Sequence, residues 1–232
     1  MRRVALRVGA CALAVFLSCC THTSTQISQT ATISWTEPSK RVVLIEPDVK
    51  LGELEASGMI DWRSDWSQTA KGFIQADVRQ SLLGHNVEVV ESGNLSDPHA
   101  IQLVKLHTVV GNAITIHAIM GGAYKLPTKS DPLDFTLGPG TSVLRDKYNA
   151  DYALFVTVRD SYSTSGRMLL MLGAAALGVG VSGGQQAGFA SLVDLRTGNV
   201  VWFNRITSQS GDLRTQGPAH DVVANLITKL PL

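Results

Sequence analysis

The chain has only three cysteines, and all of them lie within its first twenty residues. Cys11 lies inside the apolar opening run, and Cys19 and Cys20 close that run, so the rest of the chain has no thiol that could form a disulfide. An oxidising compartment allows disulfides but does not require them in a chain long enough to bury a sizeable core. We therefore expect about 190 residues that fold as one domain and are stabilised by packing alone.

The chain also lacks a strong net charge. Removing residues 1–19 would remove three of the 20 basic residues and no acidic ones, leaving 17 basic side chains beside 19 acidic ones. A near-neutral surface gives no electrostatic reason to bind nucleic acid. The six histidines show no spacing typical of a metal site, and the body has no cysteine ligand. We expect no nucleic-acid partner, no metal and no cofactor.

The apolar run at the start, residues 8–17, is too short to cross a bilayer, which takes roughly 20 apolar residues. The basic residues Arg2, Arg3 and Arg7 precede this run, and the small residue Ser18 follows it. A basic start, a short apolar stretch and a small residue before a cleavage site are typical of a secretory signal. The pattern predicts that residues 1–19 are a signal peptide.

The cysteines beside the expected cleavage site resemble the lipobox of bacterial lipoproteins. This resemblance implies an acylated cysteine thiol that holds the mature chain in a lipid bilayer. Cys19 is favoured because the small residue Ser18 precedes it, and Cys20 stays an alternative because Leu17 lies three residues before it. Neither is followed by Asp, which in enteric-type bacteria retains a lipoprotein in the inner membrane. The resemblance therefore implies an outer-membrane lipoprotein that faces the periplasm.

Residues 20–39 are polar and rich in serine, threonine and glutamine. A segment with so few large apolar residues buries too little surface to fold alone, so we predict a flexible tether between lipid and domain. An edge strand is the alternative, and Ile33 and Trp35 would allow it.

Residues 40–232 alternate between strand-like and helix-like patterns, which predicts one periplasmic α/β domain. The predicted strands lie at 41–46, 87–90, 151–160, 190–195 and 199–203. The predicted helices lie at 61–83, 101–110, 141–148 and 219–230, and a continuation of the second through 119 stays open because of Gly111. The strand at 151–160 is apolar on both faces, which is typical of the centre of a covered sheet. We expect a single α/β sandwich with a mixed sheet, a C-terminal β-hairpin and a C-terminal helix.

Two stretches of this domain share residues with a known group. They read "ADY" at 150–152 and "LVDLRTGNVVW" at 192–202, where Gly198 provides the turn of the hairpin. They resemble the periplasmic lipoproteins that include the curli-secretion protein CsgG and the penicillin-binding-protein activator LpoB. The resemblance covers about a quarter of the chain and implies a tethered sandwich domain that acts through protein contacts, without catalysis. The long alternating hairpins of the pore-forming branch are missing here.

The residues at 168–181 form a run of fourteen without a polar side chain. As a helix the run would span about 21 Å, which is short of a bilayer core. It could be a helix buried inside the sandwich, or an exposed element that docks on a partner or dips into the bilayer beside the anchor. The candidate contact residues at its start are Met168, Leu169, Leu170, Met171 and Leu172.

The glycine-rich end of this run also matches two catalytic or cofactor motifs. Residues 178–183 fit G-x-G-x-x-G, but the next segment reads as a strand instead of the helix that a dinucleotide site needs. Residues 180–184 fit G-x-S-x-G, which would make Ser182 a nucleophile with Asp212 and His220 as partners. That motif needs a strand before it and a helix after it, so a serine hydrolase is only an alternative function.

Trp62 and Trp66 lie on the predicted first helix, where aromatic residues usually pack into the core. Trp62 is the better candidate for a partner contact, because aromatic residues dominate binding hot spots. Together the patterns predict a lipid-anchored, non-enzymatic module that binds envelope proteins or itself in cell-envelope or surface-structure biogenesis. An oligomeric export component, in which residues 168–181 meet neighbouring subunits, is the other alternative.

Overall fold

The computed structural model describes residues 21–28, 33–34, 41–208 and 211–232. The predicted signal peptide and both candidate acylation cysteines lie outside these residues. Within them, a mixed sheet of eight strands carries helices on both faces. The predicted single α/β sandwich with a mixed sheet is confirmed.

The strands are β1 (His22–Ile27), β2 (Arg41–Leu44), β3 (Asp48–Leu54), β4 (Ile60–Arg63), β5 (Glu88–Glu91), β6 (Tyr152–Ser163), β7 (Gln186–Asp194) and β8 (Val200–Ser208). The main sheet has the order β1-β8-β7-β6-β2-β5. Beyond the end of β2, β3 takes the place beside β6, and β4 pairs with its outer side. The predicted C-terminal hairpin is β7 with β8.

The helices are α1 (Ser64–Leu82), α2 (Pro98–Ile114), α3 (Ser142–Tyr148), α4 (Ser165–Ala176) and α5 (Gln216–Leu226). A π-helical segment (Thr115–Met120) continues α2. Gly111 lies inside α2 and does not end it. A Cβ at this position would lie 2.1 Å from Cε2 of Phe189. The glycine therefore allows the close approach of α2 to the sheet, and the continuation left open by the sequence does form.

The strand β6 is the centre of the sheet, as its two apolar faces predict. Residues Tyr152 to Val158 are all buried. On one side β7 runs antiparallel to it, and on the other side β2 and then β3 run parallel to it. One face packs against α1 and α5, and the other against α2, α3 and the loops around them. Two apolar cores thus share one sheet.

The described part of the predicted tether is attached to the domain, so the prediction of a flexible 20–39 segment is wrong there. β1 pairs antiparallel with β8 from His22 to Ile27. Thr25 donates a hydrogen bond from Oγ1 to Oδ1 of Asn204, at 3.1 Å. Strand pairing is carried by main-chain hydrogen bonds, so a polar segment can join a sheet edge without burying apolar side chains. The alternative of an edge strand is right, although it forms earlier than Ile33.

The segment between β2 and α1 holds two strands that the sequence pattern did not indicate. β3 follows Pro47, and β4 takes the residues that the periodicity assigned to the first turn of the first helix. Trp62 therefore lies on a strand, opposite Gly52. A Cβ at Gly52 would lie 2.6 Å from the carbonyl oxygen of Asp61, so glycine is needed where the two strands approach.

The β7–β8 turn depends on Gly198 for two reasons. Its φ is +78°, a conformation that side chains of L-residues disfavour, and a Cβ there would lie 2.2 Å from the carbonyl oxygen of Gly138. The Gly198 carbonyl also accepts a hydrogen bond from the backbone N–H of Leu137, at 2.8 Å. The turn is thus packed against the loop before α3.

We expect Gly198→Ala to lower the free energy of unfolding by about 2–4 kcal/mol, since it combines backbone strain with a clash against fixed main chain. Gly72→Ala is the matched control, because Gly72 lies on the exposed side of α1 with open space around it. The control should raise stability by about 0.5–1 kcal/mol through helix propensity. Urea denaturation followed by fluorescence measures both, and equal stability of the two variants would contradict the role of Gly198.

Candidate functional site

Five chain segments meet at one end of the sheet, which we call the α4 end. Strand register places the start of β1 beside the end of β8, the end of β8 beside the start of β7, and the start of β7 beside Asp160 of β6. β6 then runs on to Ser163 and leads into α4. Because β3 runs parallel to β6, the tip of the β3–β4 hairpin lies at this end too.

An apolar lobe, residues 165–184, projects from the α4 end. It consists of α4 and the segment that returns to β7. No residue of α4 is buried, and α4 has few contacts with the rest of the domain. A Cβ added at Gly173, Gly178 or Gly180 would meet no atom within 4 Å. The far part of the lobe is therefore free of neighbours among the described residues.

The lobe displays large apolar side chains to solvent. Leu172 is 70% exposed and Leu177 is 83% exposed. The other exposed members are Met168, Leu169, Leu170 and Val179. Met171 is half-buried, because its side chain lies near Gly183 in the return segment. The interpretation of 168–181 as a helix buried in the sandwich is wrong, and the interpretation as an exposed apolar element is right.

Arg167 fixes the base of the lobe. Its Nε and Nη2 donate hydrogen bonds to the carbonyl oxygen of Ser182, at 3.1 and 2.8 Å. Its Nη1 donates to the carbonyl oxygen of Ala56 in the β3–β4 hairpin, at 3.4 Å. At the start of α4, the Thr164 hydroxyl caps the helix by accepting a hydrogen bond from the Arg167 N–H. The lobe is thus tied at its base and free at its tip.

Arg167 is also the only ionisable side chain in residues 165–184. Beyond it the lobe carries no charge, so placing its tip in an apolar environment needs no desolvation of an ion. Exposed apolar clusters of this kind mark contact surfaces for proteins or membranes. The lobe is therefore the candidate functional site of the described residues.

The neighbouring hairpin adds apolar side chains at the same end. Met59 is 73% exposed at its tip, and Trp62 is 45% exposed on β4. Trp66, by contrast, is half-buried. Its ring centroid lies 5.9 Å from that of Tyr162 in an edge-to-face arrangement, and the guanidinium of Arg214 lies 4.6 Å from it. Of the two tryptophans, Trp62 is thus the one available for a contact, whereas Trp66 packs in the domain.

Polar side chains below the lobe hold the α4 end together. The Tyr162 hydroxyl donates a hydrogen bond to Oδ2 of Asp160 at 2.5 Å and accepts one from the N–H of Leu213 at 2.9 Å. Nε2 of Gln186 also donates to Oδ2 of Asp160, at 3.2 Å. Burial raises the pKa of Asp160 and of Tyr162, and their mutual hydrogen bond raises that of Tyr162 further. These bonds connect β6, β7 and the loop after β8.

The motif around Ser182 does not have the surroundings that a hydrolase needs. Ser182 follows helix α4 and precedes strand β7, which reverses the strand–turn–helix order of a nucleophile elbow. Asp212 pairs with Arg214, at 2.7 Å, and this hydrogen bond lowers the pKa of Asp212. Nδ1 of His220 lies 3.7 Å from Oδ1 of Asp77. Asp212 and His220 therefore have partners other than Ser182.

A cavity of 480 Å³ lies between β3, α1 and α2. Its charged lining residues are Glu46, Asp48, Lys50, Lys71, Lys105 and Arg159. Lys71 pairs with Glu46 at 3.1 Å, and Arg159 pairs with Asp48. The two remaining lysines give the cavity an excess of positive charge, which favours a small anion over a cation. No local sequence pattern predicts this cavity, because its residues come from distant segments.

Among the described residues, no group of three His, Cys, Asp or Glu side chains could hold a metal ion. One helix there is long and apolar enough to cross a membrane, residues 98–120, with a mean hydropathy of 1.3. Its buried residues Ala100, Leu103 and Ile114 pack in the core beneath it. This helix therefore has an inner face that belongs to the sandwich.

No family model and no curated protein matches the chain. Among solved structures, a PelC dodecamer from Paraburkholderia phytofirmans in space group P6 is similar at 13% identity and a TM-score of 0.41, covering 90% of this chain and 95% of that chain. A methionine variant of that dodecamer in space group C2 is similar at 14% identity and a TM-score of 0.39, covering 90% and 96%. Similarities of this strength assign no function. The resemblance to the CsgG and LpoB group stays a prediction.

Proposed function

We propose that the protein is a lipid-anchored, non-enzymatic module of the bacterial outer membrane that faces the periplasm and binds other envelope proteins or further copies of itself. The observation that supports this best is where β1 begins. His22, its first residue, follows the candidate cysteines Cys19 and Cys20 by three and two positions. An acyl chain on either cysteine would hold the sheet next to the membrane, without a long spacer.

The start of β1 is itself attached to the domain. The Thr21 hydroxyl donates a hydrogen bond to Oγ of Ser208, at 3.4 Å, and His22 pairs with Thr207. Residues in an extended chain add at most about 3.6 Å each. The Cα of Cys19 or Cys20 would thus lie within roughly 7 Å of the Cα of Thr21. Lipid attachment would therefore set the position of the domain as well as its compartment.

We propose that the protein acts by binding other molecules and not by catalysing a reaction. Among the described residues, the side chains with displaced pKa values serve the fold. His107 lies in the core, Asp160 and Tyr162 tie strands together, and Asp212 pairs with Arg214. Such structural pairs shift pKa values without a catalytic role. The exposed apolar lobe, in contrast, has no structural partner that would explain its side chains.

The anchor is tested by replacing Cys19 and Cys20 with alanine together. We expect most of the variant to leave the membrane fraction or to accumulate with its signal uncut, because thiol acylation is the main proposed attachment. Mass spectrometry of the wild-type N-terminal peptide should show the acyl mass on one of the two cysteines. Ser182→Ala is the matched control and should fractionate as the wild type does. A native chain found in the cytosol with Met1 in place would refute the proposal.

The binding role is tested by crosslinking in intact envelopes, followed by identification of the proteins that are recovered. We expect crosslinks to an envelope protein, or to a second copy of the chain, that disappear in the variant without the two cysteines. Crosslinks that persist unchanged after release from the membrane would contradict a role that depends on the anchor.

A further inference from the structure

We propose that the apolar lobe inserts into the membrane interface, so that the domain is held by protein as well as by its acyl chains. This inference names the contact of the lobe, and it rests on the acylation at Cys19 or Cys20 proposed above. Its occupant is the lipid surface to which the anchor attaches. A partner protein or a second copy of the chain would be a different occupant, and the experiment below separates these cases.

The first reason is the position of the anchor relative to the lobe. β1 is separated from β6 by the two strands β8 and β7, which makes three strand spacings of about 4.8 Å each. Through this register Thr21 is level with Asp160, and α4 begins five residues further along at Ser165. Thr21 and the base of the lobe are thus roughly 20 Å apart at the same end of the sheet.

The second reason is the chemistry of the lobe. Leu169, Leu172 and Leu177 are each at least 70% exposed, and no charged side chain follows Arg167 within the lobe. Apolar side chains that lie free at a membrane surface enter the boundary between headgroups and acyl chains, and binding strength grows with the buried apolar area. The hairpin residue Met59, also exposed at this end, would extend the same surface.

The third reason concerns depth. The turn that ends α4 satisfies its own main chain, because the N–H groups of Leu177, Gly178 and Val179 donate to carbonyl oxygens of Ala174 and Ala175. The next residues, 180–183, are irregular. Irregular main chain is not tolerated among acyl chains in the bilayer centre. The lobe is therefore suited to the interface, at a depth of roughly 5–10 Å, and not to a span.

The first test places a fluorescent label at Leu172→Cys in the acylated full-length protein, reconstituted in phosphatidylethanolamine–phosphatidylglycerol vesicles. The domain has no cysteine of its own, and any unmodified thiol left at Cys20 is replaced by serine. Brominated lipids should quench the label at 172 several-fold more than a label at Leu83→Cys. Leu83 is also exposed, at 58%, but it lies at the end of α1, away from the α4 end.

Each outcome of this test decides something. Quenching of the 172 label by brominated lipid supports insertion. Quenching by aqueous iodide alone, to the extent seen at Leu83, overturns it. Protection from both quenchers also overturns it, and in this purified system would show that a second copy covers the lobe. Acyl mass on the N-terminal peptide is read in the same sample, so loss of the proposed anchor is recognised separately from failure of insertion.

A second test removes the acyl chains and measures binding by the lobe alone. The Cys19→Ala, Cys20→Ala chain is mixed with the same vesicles and sedimented. A second unacylated chain also has glutamine in place of three exposed leucines of the lobe, namely Leu169, Leu172 and Leu177. We expect this variant to bind the vesicles about tenfold more weakly than the unacylated chain with its leucines intact, because three apolar side chains no longer enter the interface.

The control for this second test carries glutamine at three exposed apolar positions outside the lobe and the β3–β4 hairpin. These are Leu83, Val109 and Met120, which are 58%, 64% and 60% exposed. We expect this control to bind vesicles as its unacylated parent does. Equal binding by the lobe variant and its unacylated parent would overturn the insertion, since all six positions are at the surface and their replacement leaves the core intact.

Discussion

Replacing Trp202 with alanine is expected to lower the free energy of unfolding by about 3–5 kcal/mol, which for a single domain is a large part of its total stability. Trp202 on β8 is completely buried in the core that α1 and α5 share with the sheet. Removal of the indole leaves a cavity that the strands on either side cannot fill. Urea denaturation followed by far-ultraviolet circular dichroism measures the loss.

Trp202→Phe is the matched control for this prediction. Among the described residues, the Trp202 Nε1–H finds no hydrogen-bond acceptor, so phenylalanine removes a buried donor together with part of the volume. The two effects oppose each other. Removing an unsatisfied buried donor raises the stability, whereas the cavity left by the smaller ring lowers it. We expect a loss of roughly 1 kcal/mol or less. A loss as large as that of Trp202→Ala would mean that the N–H is bonded or that the indole shape is essential.

Acid is expected to destabilise the domain through His107 on α2. This side chain is buried, with Nε2 2.8 Å from Oγ of Ser191 and its ring stacked on Phe155 at 4.6 Å between centroids. Burial lowers the pKa of His107 from 6.5 to about 3, and nearby Asp48 offsets only part of this effect. The native histidine therefore stays neutral at a pH where an unfolded chain would already have taken up a proton.

The sign of the pH dependence follows from this difference. Between about pH 6.5 and pH 3 the unfolded chain binds more protons at this site, so the free energy of unfolding falls as the pH falls. The free energy of unfolding changes by at most about 1.4 kcal/mol per pH unit through this site. The contribution of neutral His107 to stability is fully present above the pKa of histidine in the unfolded chain. The total loss at the acid end of the window is of the order of 4 kcal/mol. Asp160 acts in the opposite direction, because its pKa is raised.

His107→Gln isolates the histidine from the carboxylates. Glutamine keeps a polar group towards Ser191 but does not titrate, so the difference in stability between wild type and variant reports His107 alone. We expect the wild type to be the more stable at pH 7 and its advantage to shrink steadily as the pH is lowered from 6.5 to 4. Denaturation curves at several pH values test this. A constant difference across that range would show that His107 is protonated or solvated in the native state.

The local elements with strong periodicity could be predicted from the sequence. The α1, α5 and β6 patterns and the Gly198 turn all describe contacts between near neighbours in the chain. β3 was missed because its pairing with β6 joins residues about 110 positions apart, and β4 was missed because it depends on β3 for its own pairing. The π-helical extension of α2 was open for a similar reason, since only the approach of Phe189 explains why Gly111 sits in a helix.

The candidate site shows the same division. Composition alone identified Cys19, Cys20 and the apolar run at 168–181, but it favoured burial of that run, because most apolar helices complete a core. The structure decided otherwise, since α1 and α5 already cover one face of the sheet and α2 and α3 the other. With both faces occupied, α4 has no apolar surface of the domain left to cover.

By itself, the sequence determined the signals that are read along the chain: the predicted acylated start, the absence of disulfides, the alternation of strands and helices, and the uncharged run after Arg167. Only the tertiary structure decided that β1 belongs to the sheet, that Asp212 pairs with Arg214 and His220 with Asp77, and that the lobe is exposed at the same end of the sheet as Thr21. The physical reason is that exposure and proximity depend on which surfaces the rest of the fold has already covered, and no local pattern records this.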